Sequence, residues 1–145
     1  MKLQIKSFTE LTVTELYDAL QLRSEIFVVE QNCVYLDPDG KDKKAVHILG
    51  YVDNELVAYS RVFEPGIYFS NASIGRVVVK KEHRKDGYGF LLVSKAIEVA
   101  KQLHAGPITI SAQQYLEKFY QSLGFETVSD MYLEDDIPHI EMLHP

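Results

Sequence analysis

Cysteine is nearly absent from this sequence: Cys33 is the only one in 145 residues. That excludes an intrachain disulfide framework and suits a reducing compartment. The five histidines and one cysteine show no C-x-x-C or H-x-x-x-H spacing, so no metal site is expected. No apolar run approaches the length of a membrane span, and Met1-Lys2-Leu3-Gln4-Ile5-Lys6 lacks the apolar stretch of a signal peptide. Both absences point to a cytoplasmic protein with no membrane partner. Positive charge is also in deficit, with a formal net charge of −6, which argues against a nucleic-acid partner because phosphate-backbone binding draws on clustered Lys and Arg. Internal repeats, low-complexity tracts and linkers are missing as well. A chain of 145 residues that is 46% hydrophobic is long enough for a substantial core, so residues 1–145 are expected to form one domain.

The one dense basic cluster, Lys80, Lys81, His83, Arg84 and Lys85, lies within Ser73–Leu103. Here the apolar run Ile74-Gly75-Arg76-Val77-Val78-Val79 leads through Arg84-Lys85-Asp86-Gly87-Tyr88-Gly89 into an amphipathic segment. β-Branched density marks the run as a strand. Leu91, Leu92, Ala96, Val99, Ala100 and Leu103 recur at three- and four-residue spacing, which predicts a helix with one apolar face. Gly87 and Gly89 allow the intervening backbone to turn its N–H groups toward one point, where the helix dipole and Arg84 add positive charge. Such a point favours a phosphate or pyrophosphate. A dinucleotide fingerprint would need a small residue where Leu92 stands, and a P-loop would need Gly-Lys-Ser/Thr, which is absent. The bland alternative is a tight strand-to-helix turn with Arg84 as a solvated charge.

Elsewhere, Lys2–Ser7 reads as a strand, and Thr12 with Glu15 as a capping box opening a helix to about Phe27 with Val13, Leu16, Tyr17 and Leu20 inward. Cys33–Lys44 reads as a loop and a candidate acceptor-site lid. His47–Val52 and Leu56–Phe63, joined through Asp53-Asn54, predict a β-hairpin, and the sheet continues into Ala72–Val79. A buried strand after Pro107, a short helix over Leu116–Leu123, and strands near Thr127–Leu133 and Ile137–Met142 complete the expected elements.

Val77-x-Val79 followed by Arg84-x-x-Gly87-x-Gly89 resembles motif A of the GNAT N-acetyltransferase superfamily. Ile108-Thr109-Ile110-Ser111-Ala112-Gln113, then Phe119-Tyr120-x-x-x-Gly124-Phe125, resembles its motif B, in the right order. The chain is more closely similar to the ElaA-type N-acetyltransferases, through Phe27-Val28-Val29-Glu30-Gln31, Tyr35 to Asp42, Ser111-Ala112-Gln113 and Tyr132 to Met142. This resemblance covers nearly the whole chain. It implies an α/β (α+β) fold: a mixed, mostly antiparallel twisted sheet of about seven strands flanked by about four helices, with splayed central strands forming an acyl-CoA cleft.

The resemblance also implies transfer of an acetyl group from acetyl-CoA to a small-molecule amine or a peptide amino group in a ternary complex. Val77, Val78, Val79, Arg84, Lys85, Asp86, Gly87, Tyr88, Gly89, Gln113 and Tyr120 would then contact the co-substrate. Tyr120 stands where the superfamily places the general acid that protonates the departing thiolate; the competing role is core packing with Phe119. An amine with a pKa near 10 must lose a proton before attack, and Glu30, His139 and Glu141 are the candidate bases. Asp37, Glu134 and Asp135, with Asp39 and Asp136, would form an acidic rim for a cationic acceptor alongside Glu30 and His139, while Arg61 and Arg76 would face the acceptor or pair with interior carboxylates. Edge strands would allow a homodimer. Two other readings stay open. One is a non-catalytic acyl-CoA-binding sensor. The other is a cysteine hydrolase using Cys33 with His47 or His139, although nothing around Cys33 resembles a nucleophile signature.

Overall fold

The computed structural model describes residues 1–145. Its strands are β1 (Lys2–Ser7), β2 (Val46–Val52), β3 (Glu55–Phe63), β4 (Ala72–Val79), β5 (Ile108–Gln113), β6 (Glu126–Thr127), β7 (Tyr132–Glu134) and β8 (Ile137–His144). Its α-helices are α1 (Val13–Arg23), α2 (Tyr88–Leu103) and α3 (Glu117–Gln121), and α1 runs on into a π-helical segment, Ser24–Glu30. The eight strands form one sheet in the order β1-β2-β3-β4-β5-β8-β6, with β7 also on β8. Every pairing is antiparallel except β4 with β5. The fold is therefore mixed α/β with a mostly antiparallel open sheet, as the family resemblance implies.

Local chemistry explains the hairpin and the helix starts. Asp53 and Asn54 take φ of 49° and 65°, the two left-handed positions that a type I′ turn requires and that Asp and Asn tolerate. Thr12 accepts from the Glu15 amide while Glu15 accepts from the Thr12 amide, closing the capping box. On one sheet face α2 buries Leu92, Val93, Ala96, Val99 and Ala100 against Val57, Val62, Ile108 and Met142. On the other, Ala19, Leu22 and Ile26 pack on Leu49, Leu56, Tyr59 and Val78. Central strand β3 is thus covered on both faces, which accounts for its nearly unbroken burial.

Some boundaries and faces differ from the sequence reading. Val13 and Tyr17 are 87% and 68% exposed, and the buried side of α1 is Ala19, Leu22 and Arg23. The face is rotated because Arg23 turns inward to a pair of buried carboxylates, a placement that hydrophobic periodicity scores as outward. Leu91 is half exposed and Val93 takes its place in the α2 core. The strand expected over Thr127–Leu133 is interrupted at Val128–Met131, where Val128 N–H still donates to the Glu141 carbonyl and the Glu141 amide donates to Ser129 Oγ.

Two irregularities of β4 create the cleft. Beside β3, the register passes from Tyr59↔Val78 to Arg61↔Gly75, so β4 carries one extra residue, and Arg76 takes φ of 48°. Such a bulge bends the strand and re-aims side chains. Beside β5, pairing stops after Ala72↔Ile108 and Ser73↔Thr109. From Ile74 and Ile110 onward the two strands diverge, leaving the β4 edge without a ladder partner.

His47 shows how the interior treats a titratable group. It is 1% exposed, with Nε2 2.8 Å from the Asp42 carbonyl and Nδ1 2.6 Å from the Tyr59 hydroxyl. A carbonyl only accepts, so Nε2 carries the proton and Nδ1 accepts from Tyr59. Burial pushes the imidazole below its usual 6.5 and outweighs the Asp42 contacts that favour the cation. Below about pH 6.5 the unfolded chain therefore binds a proton that the folded chain refuses, and stability is expected to fall by up to about 1.4 kcal/mol per pH unit on acidification. Melting temperatures between pH 7.5 and 5 check this. His47→Gln, which keeps an amide donor for the Asp42 carbonyl, should remove that part of the slope.

Candidate active site

The gap between β4 and β5 is a cleft of about 390 Å³. Ile74 to Val79 line one wall and Ile110 to Gln113 the other, with Phe27 and Glu30 from the π-helical segment and Gln31 just after it over the mouth. Unpaired backbone N–H and C=O groups along β4 demand partners, so an apolar-looking strand presents a polar edge. A second, smaller cavity of about 50 Å³ shares Ile74, Gly75, Arg76, Ser111 and Glu134 with the cleft and adds Arg61, Phe63, Tyr68, Phe69 and Ser73. Gly75 lines both cavities, and an added Cβ there would project into open space.

At the far end of β4, Lys81–Asp86 forms a 3-10 turn and Gly87 enters α2 with φ of 76°, a conformation that favours glycine. No side chain caps the helix, so its first N–H groups are free for an anion. Of the residues expected to hold the co-substrate, Val77, Val78, Val79, Arg84, Gly89, Gln113 and Tyr120 line the cleft. Lys85 and Asp86 are exposed on the turn, and Tyr88 stacks on His83 with ring centroids 6.0 Å apart.

Arg84 is exposed but not unpartnered. Its Nε donates to the Val79 carbonyl at 3.0 Å, and its two terminal nitrogens donate to Glu30 at 2.6 and 2.9 Å. Next to this clasp, Gln31 and Gln113 exchange amide hydrogen bonds at 3.1 and 3.2 Å. Both contacts tie the end of the π-helical segment across the cleft, and neither is foreshadowed in the sequence. The partners stand 54 and 82 positions apart, so no local spacing announces them.

Tyr120 is 6% exposed and lines the cleft, edge-on to Phe119 and Phe125 at 5.1 and 5.7 Å. No hydrogen bond within the protein engages its hydroxyl. Burial raises its phenol well above the usual 10, with the nearby Tyr115 adding to the effect, so the group stays protonated at neutral pH. Packing and proton donation are compatible roles for it.

The acidic rim requires correction. Asp37 is 2% exposed, with Oδ2 2.9 Å from Arg23 Nε and Oδ1 2.9 Å from Arg76 Nε. Asp39 pairs with Arg61, and Asp42 receives Arg23 and Arg61, each at 2.8 Å. Burial alone would push the Asp39 carboxyl up, but the Arg61 hydrogen bonds overcome it and hold the group well below the usual carboxylate range. Three arginines and three aspartates thus neutralise one another and pin loop 37–42 to α1, β3 and β4. Asp37 is held by interior arginines, Arg61 pairs with interior carboxylates while also lining the smaller cavity, and the Arg76 guanidinium lies in the same network over the Phe27 and Tyr35 rings.

The other candidates separate cleanly. Glu30 lines the cleft but its carboxylate is engaged by Arg84. Glu141 is not on the cleft wall; its backbone pairs with Ser111. Asp135 sits in the β7–β8 turn at φ of 51°, and its carbonyl accepts the Cys33 thiol at 3.4 Å. His47 is committed to Tyr59 and the Asp42 carbonyl, His139 to the Ile137 carbonyl and Glu134, and the Cys33 thiol to the Asp135 carbonyl, so the hydrolase reading has no dyad. Glu134 and His139 both line the cleft, 3.3 Å apart. No helix is long and apolar enough to cross a membrane.

Comparison with known proteins agrees with this geometry. A family model described as an acetyltransferase (GNAT) domain matches residues 28–144. Protein ElaA of Escherichia coli is 44% identical over 137 residues, covering 92% of this chain and 90% of that protein. The crystal structure of E. coli ElaA superposes with a TM-score of 0.93 over 99% of each chain. An acyl-CoA N-acyltransferase from Pseudomonas aeruginosa is 40% identical with a TM-score of 0.93 over the full length of both. An aminoglycoside 6'-N-acetyltransferase complexed with coenzyme A shares the fold at 16% identity, with a TM-score of 0.72 over 97% of this chain and 95% of that one.

Proposed function

This chain belongs to the GNAT acetyltransferase family, and from that premise we propose that it transfers an acetyl group from acetyl-CoA to a primary amine of a small molecule or peptide. It is an acyl-CoA-dependent acyltransferase. The observation that carries the finer reading is the open β4 edge: a strand that leaves its ladder after Ser73 and runs toward the uncapped start of α2. Free amides and carbonyls along Val77 to Val79 suit the amide-rich pantetheine arm, and the turn at Gly87 with Arg84 suits the pyrophosphate. An amide of the same strand would polarise the thioester carbonyl as an oxyanion donor does. Attack by the amine breaks the C–S bond, and Tyr120 donates its proton to the departing sulfur. A single-cysteine protein that uses acetyl-CoA fits the cytoplasm.

Calorimetric titration with acetyl-CoA tests the donor site. Affinity in the micromolar to sub-millimolar range is expected, weakened by about ten-fold in Arg84→Ala through loss of a charge-assisted phosphate contact. Glu30→Gln should tighten binding, because the phosphates no longer compete with a carboxylate for Arg84. No binding up to millimolar concentration would overturn the transferase reading.

A further inference from the structure

A transferase of this kind must first strip a proton from its acceptor, and β4 offers no carboxylate for that step, since the strand begins Ala72-Ser73-Ile74-Gly75. We infer that His139 and Glu134 form a proton-accepting pair that receives the acceptor as an ammonium ion and removes its proton; this rests on the amine-acetylating reading above.

Geometry assigns each nitrogen of the ring. His139 Nδ1 lies 2.7 Å from the Ile137 carbonyl, which only accepts, so Nδ1 carries a proton. In the neutral ring Nε2 is then the lone pair, and it lies 3.3 Å from Glu134 Oε2 with both residues on the cleft wall. With a proton between them the two form an imidazolium–carboxylate ion pair; without it both accept and no donor stands between them. An ammonium group completes that arrangement: the carboxylate attracts it and Nε2 takes its proton.

The β7–β8 turn builds the pair. Asp135 and Asp136 adopt φ of 51° and 62°, and the register sets Tyr132 opposite His139 and Glu134 opposite Ile137. Tyr132, two residues from Glu134 and so on the same strand face, stacks on the imidazole at 6.2 Å and 24°. Its hydroxyl is hydrogen-bonded to Ser111 Oγ, which also donates to Glu134 Oε1 at 3.4 Å. The ring is therefore held, while Glu134 remains 42% exposed and open to water.

The protons balance. The acceptor loses one to His139 Nε2 before attack, and it leaves to solvent past Glu134. The nitrogen loses a second on the tetrahedral intermediate, and this replaces the proton that Tyr120 gives to sulfur. The N–C bond forms, the C–S bond breaks, and one net proton is released. The other titratable groups facing the pair are Tyr132 from β7 and Tyr68 from the segment after β3. Burial is the leading cause that raises both phenols, so they stay protonated at neutral pH. Glu141 on β8 acts on Tyr132, and Arg61 and Arg76 are already paired with Asp37, Asp39 and Asp42.

The test compares wild type and His139→Gln on a panel of primary amines running from ethylamine to 2,2,2-trifluoroethylamine, which is unprotonated at neutral pH, with thiol release as the readout. His139→Gln should lower kcat/KM by about 100-fold or more for the basic amines at pH 7.5 and by less than about three-fold for trifluoroethylamine. The deficit on basic amines should shrink about ten-fold per pH unit toward the amine pKa near 10, as free amine accumulates. Glu134→Gln, on a half-exposed side chain, should raise KM about ten-fold for the basic amines only. Equal loss on every amine, or none, overturns the base assignment and leaves the transferase reading standing. If wild type binds acetyl-CoA but acetylates no amine in the panel, the amine-acetylating reading falls and this inference with it.

Discussion

Replacing Tyr120 with phenylalanine is expected to lower acetyl-transfer turnover by about ten-fold or more, with acetyl-CoA affinity kept within about two-fold. The substitution deletes one oxygen and nothing else. The ring keeps its edge contacts with Phe119 and Phe125, and no hydrogen bond within the protein is lost. Melting temperature should therefore stay close to wild type. What changes is the proton supply: burial keeps the phenol protonated at neutral pH, and in the proposed mechanism it is the group that protonates the departing thiolate. Steady-state kinetics alongside calorimetry read the two quantities separately. Unchanged turnover would assign Tyr120 to packing alone.

Asp37→Ala should cost about 3–5 kcal/mol of folding stability, the usual penalty for removing one partner of a buried ion pair. Its two oxygens meet Arg23 and Arg76 at 2.9 Å each, and Tyr35 donates to one of them at 2.9 Å. Arg23 is 1% exposed, so the mutation leaves a guanidinium short of one counter-charge where water does not reach. Against a typical total of about 5–15 kcal/mol, that is a large fraction. The exposed pair Lys95–Glu98 provides the contrast: Glu98→Ala should cost less than about 0.5 kcal/mol. Urea midpoints for both variants decide it. A loss below about 1 kcal/mol for Asp37→Ala would mean that loop 37–42 is held by other contacts. The loop carries Asp39 and Asp42, so a loosened Asp37 is also expected to disturb β3 and β4 through Arg61 and Arg76.

The contrast between these residues shows what kind of information a sequence holds. Asp37 and Asp39 stand in a polar loop, and a polar loop reads as solvated. Only the arrival of Arg23, Arg61 and Arg76 from 14 to 39 positions away turns their charges inward. The same cause rotates α1: counting apolar residues places Val13 and Tyr17 inside, whereas the helix buries an arginine because its counter-ions lie beneath it.

Glu134 and His139 illustrate a middle case. The sequence reading set a turn at Glu134-Asp135-Asp136 between two expected strands, and the structure places Glu134 at the end of β7, in register with Ile137. That Nδ1 is consumed by the Ile137 carbonyl, leaving Nε2 for the cleft, depends on a rotamer and a hydrogen bond that no pattern specifies. Glu30 goes the other way. Its place beside the cleft fitted a base, but its carboxylate is held by a bidentate contact with Arg84.

By itself, the sequence determined the elements and the chemistry that rides on them: the strand, glycine turn and helix of Ser73–Leu103, the Asp53-Asn54 hairpin, the capping box of α1, and the tyrosine at 120 after motif B. These are local, set by periodicity, backbone preference and residue type within a few positions of each other. The tertiary structure decided which charges face the cleft, which are cancelled in the interior, and where β4 and β5 part. Those outcomes depend on which distant side chain arrives within about 3 Å, and Coulomb and desolvation energies act through space rather than along the chain.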